Sequence, residues 1–271
     1  MRCGGAVFEW GRRTYVMGIL NITPDSFSGD GLAGDLEAVV AQARRFVADG
    51  ADMLDIGGES TRPGHEPIAV DEELRRVVPA VAAVRRAVTV PISIDSSKAA
   101  VVEAALDAGA AIVNDQWGLL RDAALGRLAA ARGAPIVLMH NQAGAEYRDM
   151  VPDIVASLAR SCEIALMAGV PPQNIVVDPG FGFGKTWEQN LEVLRRLDEL
   201  RVLERPILIG TSRKSMIARV LDLPPDQRVE GTAATVAVGI ARGADIVRVH
   251  DVLAMARVAR MTDAIIRGVH R

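Results

Sequence analysis

The chain has 271 residues, 49% of them hydrophobic and 24% charged, with 25 Gly and 13 Pro. That is a globular composition, and it excludes a disordered or collagen-like protein. Its 31 basic and 34 acidic residues leave a net charge of −3, without the basic surplus of a general nucleic-acid binder, so no nucleic-acid partner is expected. Cys3 and Cys162 are too few for a disulfide framework or a cysteine-rich zinc site. Glu9, Arg12 and Arg13 interrupt the N-terminus where a secretory segment would be apolar, and the longest apolar stretch, around Ala233 to Ala241, is too short to span a bilayer. We expect reduced thiols, no membrane partner and a cytoplasmic location.

In chain order, Val7 to Arg13 reads as a small hairpin able to plug the bottom of a barrel, and Tyr15 to Asn21 as a first strand. Leu36, Val39, Val40, Ala43, Phe46 and Val47 share one helical face. Gly50-Ala51 then leads into the apolar run Met53 to Ile56. The same Gly-Ala lead precedes Ile112 to Asp115, Ile136 to His140 and Ile246 to His250, and similar runs occupy Pro91 to Asp95, Ile175 to Asp178 and Pro206 to Thr211. Met255, Val258, Ala259, Thr262, Ile265 and Ile266 form a last helical face. Gly suits the left-handed position just past a helix end, and each run reads as a buried parallel strand. Eight strand–helix units average about 34 residues, the size of a βαβ building block, and no linker divides them. The expected fold is a single (β/α)8 TIM barrel over residues 1–271 with an N-terminal hairpin; a doubly wound sheet is the rival.

In such a barrel the active site lies at the C-terminal strand ends. Here those ends carry Asn21, Asp55, Asp95, Asn114, Asp115, His140, Asp178, Ser212 and His250. Buried polar groups need partners. A few could be braces or helix caps, as Asp95-Ser96-Ser97 allows, but so many on one rim point to a polar ligand. Arg62, Lys185, Arg213, Lys214 and Arg248 add an anion to it, although any single Arg could instead pair with a neighbouring Asp. Gly180 to Thr186 fails as a phosphate loop, because Pro179 holds the required Gly position, and fails as a dinucleotide loop at Lys185. It reads as a close-approach loop with Phe183 facing a flat ligand. Neither H-E-x-x-H nor G-x-S-x-G occurs.

Seven separated blocks carry a family resemblance: Met17 to Ser28, Asp55 to Gly64, Ser93 to Lys98, Val113 to Asp115, Asp178 to Lys185, Gly210 to Ser215 and Arg248 to Asp251. The chain resembles dihydropteroate synthases, the folate-pathway enzymes inhibited by sulfonamides. The resemblance implies a barrel, usually dimeric, that condenses 6-hydroxymethyl-7,8-dihydropterin diphosphate with 4-aminobenzoate, and a homodimer is expected. It implies Asp95, Asp178, Lys214 and Arg248 as the catalytic group. Asp95, Asn114, Asp178 and Lys214 would grip the pterin, with Met139 and Phe183 on its faces and Gly210 beside it. Asn21, Thr61, Arg62, Arg248 and His250 would hold the diphosphate, with Asn21 a ligand to Mg²⁺. Phe27, Arg62, Pro63 and Ser212 would form the 4-aminobenzoate pocket, where sulfonamides would compete. One departure is the tail Met139-His140-Asn141-Gln142-Ala143-Gly144, where the family usually shows Met-His-Met-Gln-Gly. The alternatives are a pterin-binding methyltransferase domain of the corrinoid-dependent kind and a non-catalytic pterin-binding paralogue.

Overall fold

A computed structural model describes residues 1–23, 35–59 and 67–269. Phe27, Thr61, Arg62 and Pro63, four of the expected site residues, lie outside the described residues. Eight parallel strands form the barrel wall: β1 (Tyr15–Asn21), β2 (Met53–Gly57), β3 (Ile92–Asp95), β4 (Ile112–Asp115), β5 (Ile136–Met139), β6 (Ile175–Asp178), β7 (Leu208–Ile209) and β8 (Ile246–Val249). Strands β1 to β6 pair in chain order, and β8 sits between β7 and β1. The seam between β6 and β7 is a short bridge in which Val177 N donates to Pro206 O at 3.0 Å. Only Leu208–Ile209 of the expected Pro206 to Thr211 run is regular strand.

The helices between the strands are α1 (Leu36–Ala48), α2 (Val70–Ala87), α3 (Ala99–Asp107), α4 (Ala124–Arg132), α5 (Met150–Met167) and α6 (Trp187–Arg195). Then α7 (Ser215–Leu221) and α8 (Val229–Ala241) follow β7, and α9 (Val252–Ile266) follows β8. The Gly-Ala pairs end their helices as the sequence suggests. Gly50, Gly109, Gly133 and Gly243 have φ of +103°, +113°, +62° and +105°. The Ala after each donates its N–H to a carbonyl five residues back at 2.9 Å, for example Ala51 to Phe46 O. This is the Schellman arrangement, and it turns a buried Ala inward to start the next strand.

Strand alternation then divides the core. Outward residues such as Val16, Leu54, Ile94, Val113 and Val177 pack under Val39, Phe46, Val81 and Val102 of the helices. Inward residues of the lower barrel, among them Met17, Met53, Ile112, Val137, Val176, Leu208 and Ile246, form a second cluster closed by Cys3 and Phe8. The plug is therefore real, but its hairpin lies earlier than expected. Arg2–Cys3 pairs with Ala6–Val7, because Gly4 and Gly5 both take positive φ, as a two-residue type I′ turn requires. Residues 8–15 instead supply an aromatic cluster in which Phe8 and Trp10 both meet Tyr15 edge-on.

Candidate active site

Side chains alternate across a strand, so the residue two places beyond each lower-barrel residue also faces inward. Those residues are Asp55 after Met53, Asn114 after Ile112, Met139 after Val137, Asp178 after Val176, Gly210 after Leu208 and Arg248 after Ile246. Ser93 and Asp95 take this place on β3, opposite Asp55 and Gly57 in the ladder. One further step reaches the rim residues Asn21, Gln116, Ser212 and His250.

The centre of this layer is an ion-pair network. Arg248 donates from Nε to Asp55 Oδ2 at 2.6 Å and from Nη2 to Asp95 Oδ2 at 2.7 Å. Asn114 Nδ2 donates to the same Asp55 oxygen at 3.1 Å, and Gln116 Nε2 donates to Asp95 Oδ1 at 2.5 Å. Asp55 is wholly buried, and its Oδ1 and the neighbouring Ser93 Oγ have no hydrogen-bond partner. Burial, and then Asp55, push Asp95 up to about 7 despite Arg248 and Gln116. Burial likewise pushes Asp178 up to about 6, opposed by Gly180 N–H and by Lys214, Arg248 and Lys185. The layer is rich in acceptors and short of donors, which is the complement of a ligand edge carrying several N–H groups.

Around it the loops fix the remaining side chains. Asp178 Oδ1 accepts from Gly180 N at 2.7 Å, and Gly180 has φ of +73° with His140 O where a Cβ would stand. Lys214 Nζ sits 4.5 Å above the Phe183 ring, and a Cβ at Gly182 would lie 3.1 Å from the Lys214 side chain. At Gly210 a Cβ would meet nothing within 4 Å, so its missing side chain leaves room at the mouth. Ser212 Oγ lies 3.0 Å from His250 Nδ1 and accepts from His250 N at 3.2 Å. Ser212 is thus buried against the His250 side of the mouth.

The rim cations Arg213 and Lys185 brace loops. Arg213, at φ +58°, donates to both oxygens of Asp251 at 3.0 and 2.7 Å. Lys185 is partly buried and staples the glycine loop, reaching His140 Nδ1, Gly180 O and Phe183 O, each at 3.0 Å. Burial pulls it down to about 7, and burial with Lys185 pulls His140 down to about 3. Asp115, whose alternation points outward, accepts from Trp117 N and Leu119 N at 2.9 and 2.6 Å and braces a turn. Two contributors went unassigned in the sequence reading: Asp55, noted only as a polar strand end, and Gln116. The parity signal that would have found both is the spacing from Met53 and Ile112.

Asn21 ends β1 half-buried at the mouth. Its carboxamide oxygen is a hard donor of the kind Mg²⁺ accepts, and that ion commonly takes one or two protein ligands together with substrate phosphates. Among the described residues no cluster of three or more His, Cys, Asp or Glu could hold a metal by itself. A single carboxamide oxygen at Asn21 fits an ion shared with substrate phosphates.

The class of protein follows from the family model for pterin binding enzymes, which matches residues 17–250 and so spans this whole acceptor-rich layer. A dihydropteroate synthase of Clostridium beijerinckii is 48% identical over 268 residues, 98% of this chain and 100% of that one. The crystal structure of the Clostridium difficile dihydropteroate synthase in the presence of pteroic acid superposes with a TM-score of 0.92 at 50% identity, covering 96% of this chain and 100% of that chain. The Yersinia pestis enzyme with a sulfonamide drug gives 0.91 at 40% identity, covering 95% of each. The chain belongs to the dihydropteroate synthases. It is an alkyl-transferring enzyme of folate synthesis that joins 6-hydroxymethyl-7,8-dihydropterin diphosphate to 4-aminobenzoate.

Proposed function

We propose that the inward layer of Asp95, Asn114 and Asp178 grips the pterin ring, with Met139 and Phe183 on its faces and the Gly210 gap accommodating its edge. The observation that carries this reading is the acceptor surplus: the buried carboxylates of Asp55 and Asp95 share Arg248, Asp178 is a third buried carboxylate of the layer, and Asp55 Oδ1 lacks a donor. Ring N–H groups donated to Asp95 and Asp178 favour their ionised forms, as hydrogen bonds to a charged group do.

In the reaction the bond from the exocyclic methylene carbon to the diphosphate oxygen breaks, and its electron pair leaves with diphosphate. The remaining cation is delocalised into the pterin, and the anionic Asp95 and Asp178 stabilise it electrostatically. The amine lone pair of 4-aminobenzoate then forms the C–N bond, and the ammonium proton passes to water. Arg248, anchored through Nε and Nη2, presents its remaining edge to the departing oxygens, and Lys214, over Phe183, supplies a second cation near Asp178. Mg²⁺ bound by Asn21 and the diphosphate would neutralise leaving-group charge. His250, Thr61 and Arg62 complete the diphosphate site, and Phe27, Pro63 and Ser212 the 4-aminobenzoate pocket, where sulfonamides compete.

The exposed apolar side chains Val220, Val238, Met261 and Ile265 on α7, α8 and α9 suit a homodimer interface. Both thiols are free and buried, which suits the cytoplasm, and no described helix is long and apolar enough to cross a membrane. The test of the site is diphosphate release with Mg²⁺, with and without 4-aminobenzoate and with a sulfonamide as competitor. Aryl-amine-dependent release that Asp95→Asn lowers mainly in kcat supports the reading. Equal loss in kcat and in 4-aminobenzoate binding would remove the cation-stabilising role of Asp95.

A further inference from the structure

Gln116 lies just beyond β4, in the inward register of Ile112 and Asn114. Its position is set by a rigid turn. Asp115 accepts from Trp117 N and Leu119 N, Gly118 and Leu119 both have positive φ, and a Cβ at Gly118 would stand 2.9 Å from Met139 O. The turn carries Gln116 back over the barrel mouth, where Nε2 donates to Asp95 Oδ1 at 2.5 Å while Arg248 holds Oδ2. Both oxygens of Asp95 are therefore held, one by a cation and one by a neutral amide.

We propose that Gln116 is a positioning residue for the transfer reaction, its amide orienting Asp95 toward the pterin and keeping that carboxylate ionised without adding positive charge beside the reacting carbon. The choice of an amide has a physical reason. Asp95 faces Asp55 on β2 and Glu73 on α2, which favour its protonation, and Arg248 on β8, which opposes it. Lys98 is committed to Glu59 and Glu73. A second cation on Asp95 would secure the anion but would also repel the methylene cation that the anion serves. A neutral donor supplies the hydrogen bond without that repulsion.

This inference rests on Asp95 acting as an anion, so Asp95→Asn is assayed alongside: wild-type turnover there would overturn the Asp95 reading itself. The test is the pH profile of diphosphate release for Gln116→Met and Gln116→Ala, with the melting temperature and the KM for 4-aminobenzoate measured on the same samples. Losing a hydrogen bond to the anion raises the carboxyl pKa, so the acid limb should move up by about 1 pH unit. Turnover near pH 7 should then fall about fivefold and return to within about twofold of wild type near pH 9. The melting temperature and the KM for 4-aminobenzoate should hold. A second readout without turnover is the pH dependence of pterin binding by calorimetry, whose acid limb should shift in parallel. A loss of equal size at every pH, or unchanged profiles in both variants, would overturn the role of Gln116 while leaving the synthase reading intact.

Discussion

The lower and upper halves of the barrel interior are built from the same strands, two residues apart, yet they do opposite work. Below, Met17, Met53, Ile112, Val137, Val176, Leu208 and Ile246 make an apolar plug with Cys3 and Phe8. Above, Asp55, Asp95, Asn114 and Asp178 are also buried, but with the partly buried Arg248 they form a charged layer in which Asp55 Oδ1 has no partner. A hydrophobic layer stabilises a barrel by burial alone, whereas a buried ion network is weak evidence for stability, since desolvation offsets much of the attraction. The lower layer thus holds the barrel closed, while the upper layer gives up burial energy for polar groups that a ligand can satisfy.

The harshest way to break this comparison is Arg248→Met. It leaves Asp55 and Asp95 buried without their cation, so chemical denaturation should show a loss of about 3–5 kcal/mol. Turnover should fall by about 10²–10³. The double variant Asp55→Leu/Arg248→Met sharpens the point: much of the stability should return while turnover stays lost. Recovery of both together would mean that the network serves folding rather than chemistry.

Next in size is the mirror experiment below. Ile112→Ala empties part of the apolar plug and should cost about 2–5 kcal/mol in a denaturant titration. In conditions where the variant stays folded, its kcat and both KM values should remain near wild type. A large kcat loss at full folding would show that the lower layer reaches the chemistry.

A pH series probes the upper layer without mutation. Asp95 and Asp178 have folded values near 7 and 6, raised above the ordinary carboxylate value chiefly by burial. The folded state therefore binds their protons more tightly than the unfolded chain. Their contribution to stability is fully present below the ordinary carboxylate value and is lost as pH rises through the folded values. A bound pterin reverses the preference by donating N–H groups to the anions, so binding at acid pH must release protons. Pterin affinity should rise about tenfold between pH 6 and pH 7 and then level off, and the ligand-induced rise in melting temperature should grow over the same interval. Affinity independent of pH would mean that both carboxylates are already ionised in the free enzyme.

How much of this was legible in the sequence follows from which forces are local. The Gly-Ala helix ends were readable because left-handed backbone and a buried following residue are properties of adjacent positions. The polar strand ends were readable because each apolar run stops on them. What the runs do not reveal without a parity count is direction: Asn114 and Asp115 are neighbours, but the first faces the ligand and the second braces a turn. The fates of Arg213 and Lys185 are non-local. One depends on Asp251 after the neighbouring strand and the other on His140 at the end of β5, so charge alone groups them with Lys214 and Arg248. The N-terminal hairpin lies ahead of the expected Val7 to Arg13 because Gly4-Gly5 is the stronger turn signal, and the aromatic stretch after it packs rather than turns.

The smallest effect concerns Ser212, where the two substrate sites meet. Resemblance puts this residue in the 4-aminobenzoate pocket, while its hydroxyl lies 3.0 Å from His250 Nδ1 and accepts from His250 N. A group so placed orients the imidazole on the diphosphate side of the mouth. Ser212→Ala removes a neutral hydrogen bond worth about 1 kcal/mol. If the serine acts through His250, the expected result is a rise of about fivefold in the KM for the pterin diphosphate, with the KM for 4-aminobenzoate nearly unchanged. If it contacts the aryl amine substrate directly, the two constants exchange roles, and sulfonamide inhibition weakens with the KM for 4-aminobenzoate. Measuring both constants and the sulfonamide inhibition constant on one preparation separates the two, because only direct contact couples the drug to the serine.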